Sequence, residues 1–275
     1  MEGSVMGEAE TDRPGEPARH GTGAEGFPHG SKYPLIVGAG FLFIGWGLMW
    51  NPVLIVGVPI MLYGILGWIY EYSIVEFETG VIPEQKRQLL GMETGLLGMY
   101  LLIISEILVF AGFFVAWFYL DATRGPFPPE GLAGPQFTYG VVMTAIMLVG
   151  SVTALYGRRG ITRGDRSALV NGFAATLVTG VAFLIVLGLE YQRLLAEGVS
   201  WTTGPYGAAY YGLTGLHAAH LLGGLAMLLI VLYRATARGH FSANRNLMVR
   251  TTEAYWYFLT TLSLLIFAFI YFGTS

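Results

Sequence analysis

Cysteine is absent from the 275 residues, and charged side chains make up only 12% of them. Without thiols the chain cannot build a disulfide framework, a thiolate metal site, an iron–sulfur cluster or a c-type haem attachment. Soluble domains carry about 25% charge, so a charge content this low excludes an ordinary globular protein. The sequence also lacks a phosphate-cradling glycine loop, a nucleophile paired with a base, and any surface suited to nucleic acid. What fills the space is apolar: 54% of residues are hydrophobic and the mean hydropathy is +0.57, the composition of an integral membrane protein.

Residues 1–32 are rich in Gly, Pro and Glu without apolar periodicity, and read as a disordered tail with no basic start or apolar run of a signal peptide. His20 and His29 fall there and read as solvated. Seven apolar segments follow, which predict an all-α bundle of seven transmembrane helices. Segments 33–50 and 52–72 are separated only by the Asn51-Pro52 turn signal and form a hairpin over 33–72. A polar linker, 73–90, leads to a five-helix portion, 91–275, with spans at 91–121, 137–156, 167–190, 207–233 and 253–272. With the N-terminus cytoplasmic and the C-terminus outside, only Arg124 and Arg193 of the 15 basic residues fall on the outer side. That asymmetry supports the count of seven.

The third segment, GMETGLLGMYLLIISEILVFAGFFVAWFYLD, holds one ionisable residue, Glu106, near its middle. A carboxylate at membrane depth costs a few kcal/mol on insertion scales and normally faces protein or water, so it is a functional candidate. Low-dielectric surroundings disfavour its charged form unless a partner compensates. The alternative is a structural glutamate bonded to a neighbour and chemically idle. Gly91, Gly98, Ser105 and Gly112 recur every seven residues, a ridge along which another helix can approach. Glu106 lies about 100° round from that ridge, on the face of Phe110 and Trp117.

The sixth segment contains YYGLTGLHAAHLLGGL. His217 and His220 share one helical face, and Gly215, Ala219 and Gly223 form a close-packing ridge on the other side. Two intramembrane histidines are too few ligands for a haem–copper centre. They read as buried hydrogen-bonding residues at a helix contact, either of them a candidate partner for Glu106. Glu190 and Glu253 sit at segment ends, where they are expected to reach headgroups or water. The aromatic cluster Tyr255–Phe258 reads as packing or interface anchoring.

These residues carry a resemblance. GMYLLIISEILVFAGFFVAWFY resembles the signature helix of the cytochrome c oxidase subunit III family, GLTGLHAAH resembles the family's TG-H--H helix, and YWYF its YWHF segment. Tyr257 replaces the His of that last motif, Thr260 stands where an Asp is usual, and the loop before helix three lacks the customary His pair. The resemblance implies a haem–copper terminal oxidase subunit that binds no haem or metal itself, those cofactors residing in partner subunits. It implies a two-helix bundle and a five-helix bundle with phospholipid in the cleft between them, and subunits I and II as partners. On this reading the chain sits in an energy-transducing plasma membrane, stabilises subunit I and helps keep its proton-uptake path supplied; Glu106 matches the family's intramembrane carboxylate near the subunit I interface, and His217 and His220 its paired histidines. The same subunit in a quinol oxidase, or an accessory protein of nitric-oxide reduction, fits the sequence equally. An independent transporter fits less well, since no internal repeat or broken helix is visible.

Overall fold

The computed structural model describes residues 32–47, 53–70 and 93–272. Two compact units divide the chain, Met1–Ile82 and Pro83–Ser275. In the first, α1 (Tyr33–Gly47) and α2 (Leu54–Tyr70) pack as an antiparallel pair. Glycine makes the approach possible. A Cβ on Gly40 would lie 2.7 Å from Met61 Cα, one on Gly57 2.8 Å from Ile44 N, and one on Gly64 2.9 Å from Val37 N. At 15 and 17 residues these helices run about 22 and 25 Å, short of the ~30 Å hydrocarbon layer. The N-terminal tail and the 73–90 linker lie outside the described residues.

The second unit holds five helices long and apolar enough to cross a membrane. They are α3 (Thr94–Arg124), α4 (Phe137–Thr162), α5 (Arg166–Ala196), α6 (Gly204–Ala237) and α7 (Leu247–Ile266), the last continuing as a wider helical turn over Phe267–Tyr271. The described residues are thus all-helical apart from connections, with five full-length apolar helices and two shorter ones where the sequence predicts seven spans. Several helices overrun the predicted segments at their ends, because hydropathy marks the apolar middle and not the amphipathic turns beyond it.

Helix α4 folds onto α5 through a tight turn. Gly164 adopts φ +83°, and Asp165 caps α5 by accepting from Ala168 N–H at 3.0 Å. Gly172 lets the two backbones touch, since a Cβ there would lie 2.6 Å from both Thr153 O and Gly157 N. Helix α7 touches α3, α4 and α6 and is the most buried, 56% of its apolar window against 11% for α3. Phe110, Trp117, Met147, Phe173, Leu221, Trp256 and Leu259 are among the side chains of one continuous core.

Two expectations about charge are corrected by this packing. Glu190 is 0% and Glu253 6% exposed, so neither reaches water. Glu190 accepts from Gln136 N–H (2.8 Å) and from Arg193 (2.9 Å), while Arg193 also donates to Gly134 O (2.7 Å) and Glu197 (3.0 Å). The loop before α4 therefore folds back over the end of α5, which turns a span-end carboxylate into an interior one. Glu253 pairs with Arg158 from the end of α4 at 2.6 Å and accepts from Tyr257 O–H at 2.8 Å.

Candidate functional site

Glu106 on α3 meets His220 on α6. The carboxylate Oε2 lies 3.0 Å from His220 Nε2, with side-chain exposures of 24% and 16%. His220 Nδ1 lies 2.8 Å from Leu216 O, one turn back on its own helix. A carbonyl only accepts, so Nδ1 carries a hydrogen and Nε2 is left to face Glu106. Two proton arrangements then satisfy the contact. A carboxyl O–H donates to a neutral imidazole, or an imidazolium N–H donates to a carboxylate. Movement of one proton across 3.0 Å converts one into the other, and neither carries net charge.

The surroundings hold the imidazole in place. Phe110 meets the His220 ring edge-on with centroids 5.1 Å apart, Phe258 stands at 6.5 Å, and Tyr255 O–H donates to His220 O at 3.3 Å. An apolar cleft of about 460 Å³ runs alongside between α3 and α7, walled by Ile103, Ile107, Phe110, Phe114, Phe258 and Leu262.

Of the two histidines, only His220 joins Glu106. His217, about 60° round α6 from His220, is instead buried against Phe183 of α5, ring centroids 5.3 Å apart. Among the described residues the small-residue ridges make no close helix–helix contact. A Cβ on Gly98 or Gly112 would meet open space, Ser105, Ala219 and Gly223 are exposed, and Gly215 has only Tyr191 Oη, 3.9 Å away. Gly91 lies outside the described residues. Close helix approach instead falls on Gly140, Gly150, Gly157, Gly172 and Gly224.

Sequence reasoning misses the polar ties between helices. Ser151 and Thr260 hydroxyls are 2.8 Å apart across α4 and α7, Thr153 and Thr176 2.8 Å apart across α4 and α5, and Arg250 reaches Glu93 at 3.1 Å. The i, i+3 spacing of Glu190 and Arg193 is a legible signal of pairing. It also accounts for one of the two basic residues outside the charge asymmetry. Among the described residues no three His, Asp or Glu side chains gather as a metal site needs.

A five-helix apolar bundle with a carboxylate–imidazole pair between two of its helices defines a helical integral membrane protein, and comparison with known proteins narrows the class. The cytochrome c oxidase subunit III family model matches residues 39–275, so the chain belongs to that family. Cytochrome c oxidase subunit 3 of Thermostichus vulcanus is 28% identical over 175 residues, covering 64% of this chain and 85% of the relative. The probable cytochrome c oxidase subunit 3 of Nocardia farcinica is 31% identical over 64% and 86% of the two chains, and the subunit 3 of Gadus morhua 29% over 65% and 69%.

Proposed function

We propose that this chain is the third subunit of a proton-pumping terminal oxidase that passes electrons from cytochrome c to O₂. It binds no redox centre, stabilises subunit I, contacts subunit II of the same complex, and keeps protons supplied to the catalytic subunit. Glu106 against His220 carries this reading, because a carboxylate 3.0 Å from an imidazole nitrogen is an arrangement that can share a proton, set among apolar helices and partly exposed. Family membership supports the oxidase complex as its setting. The unused ridges of Gly98, Ser105 and Gly112 on α3 and of Ala219 and Gly223 on α6 support docking of partner helices there.

Seven crossings, a two-helix hairpin over 33–72 followed by a polar linker and a five-helix bundle over 91–275, fit the basic-residue asymmetry. That arrangement puts the N-terminus in the cytoplasm and the C-terminus outside. Phospholipid is the expected lipid ligand, as the resemblance to the family implies. Purification through a tag on this chain tests the whole reading. Recovery of haem-bearing partners with cytochrome c oxidase activity supports it, and recovery of the chain alone, or with a quinol-oxidising complex, contradicts it.

A further inference from the structure

His217 sits in an environment unlike that of its neighbour. The residue is 2% exposed, and neither ring nitrogen has a hydrogen-bond partner among the described residues. An imidazole presents at least one N–H, and when neutral one lone pair as well, so burying both without partners is costly. A cavity of about 20 Å³ adjoins the ring. Thr144, Thr214, Ser263 and Tyr271 share its wall with His217, and all four are buried. Two of them already belong to hydroxyl pairs, Thr214 with Tyr191 at 2.7 Å and Tyr271 with Tyr210 at 2.8 Å. The rest of the wall is apolar apart from backbone.

We propose that this cavity is a binding site for one ordered water molecule, held by the His217 imidazole and by hydroxyls of the surrounding helices. A water needs about 10–15 Å³ and two to four polar partners; the cavity has the volume, and His217 with the Thr144, Thr214, Ser263 and Tyr271 side chains on its wall supplies the candidate partners. One imidazole among hydroxyls is too poor a donor set for a resident transition-metal ion. An apolar occupant would leave the ring nitrogens unpaired. The water bridges α4, α6 and the end of α7, and joins His217 to the Thr214–Tyr191 and Tyr271–Tyr210 pairs in one hydrogen-bonded cluster. Helix α6 thus sends one histidine to a carboxylate and the other to an internal water.

The test is a structure of the intact complex at a resolution that shows ordered water, for the wild type and for His217→Leu. The expected result is a density peak within about 3.2 Å of a His217 ring nitrogen, lost in the variant. No peak there, in a map that resolves waters elsewhere in the same bundle, overturns the proposal. So does a peak that survives His217→Leu, or a partner subunit bonded to the ring. Should the variant fail to assemble, solid-state NMR of the ¹⁵N-histidine-labelled wild-type complex decides. Magnetisation transfer from water to the His217 ring is expected, and its absence, with transfer seen at other histidines, overturns the site.

Discussion

Arg193 reaches Glu190 one turn back on α5 with two nitrogens, Nε at 3.2 Å from Oε2 and Nη2 at 2.9 Å from Oε1, and the carboxylate it meets is wholly buried. The same guanidinium donates to Gly134 O, so one side chain neutralises the interior charge and pins the loop before α4.

Arg193→Ala therefore leaves a buried carboxylate unpaired and is expected to destabilise the bundle by about 3 kcal/mol. Arg193→Lys is expected to recover only part of that, because an ammonium cannot span Glu190, Glu197 and Gly134 in one plane. Thermal unfolding of the purified complex reads the loss, and faster hydrogen exchange over residues 125–136 locates it. Wild-type exchange in that loop would contradict the account.

How much of this was legible in the residues depends on which force set the feature. The long helices are legible because lipid demands apolar runs, and that Glu106 meets a polar partner is legible because a lone carboxylate in such a run needs one. Which histidine meets it is not, since His217 and His220 differ by only about 60° around α6. That choice follows from helix rotation, set by contacts such as Gly224 against Leu259. The burial of Glu190 is likewise illegible, because it depends on a loop 54 residues away in sequence folding over it.

The two kinds of glycine predict opposite phenotypes. Gly172→Leu drives a side chain into the α4 backbone, 2.6 Å from Thr153 O at its first atom, and is expected to prevent the bundle from forming. Gly98→Leu or Gly112→Leu adds atoms to open space and is expected to leave the chain folded but weaken its retention by partner subunits. Helical content and copurification measured on the same preparations separate the two. Equal retention of wild type and both ridge variants would sink the docking assignment.

His240, in the connection between α6 and α7, predicts a pH dependence. Burial, with Arg234 and Arg245 nearby, pushes its imidazole down from 6.5 to about 4. The folded chain keeps it neutral where an unfolded segment takes up a proton. Its contribution is therefore complete above pH 6.5 and is lost as pH falls through about 4. Hydrogen exchange over residues 238–246, corrected for intrinsic rates, is expected to accelerate between pH 7 and pH 5 (roughly the span of histidine titration). His240→Asn is expected to flatten that dependence. An unchanged dependence in the variant would assign the effect to another group.

The Glu106–His220 pair is the central claim, and oxygen consumption with proton pumping by complexes carrying Glu106→Gln and Glu106→Ala tests it most directly. Because His220 Nδ1 donates to Leu216 O, Nε2 can accept from a glutamine amide, so Gln keeps the contact and removes only the movable proton. Ala removes both. The account predicts that both variants assemble with normal haem spectra and lose turnover or pumping several-fold, most at high pH where protons are scarce. Wild-type behaviour from Glu106→Gln beside failed assembly in Glu106→Ala would contradict it, and would make the carboxylate a structural tie between α3 and α6.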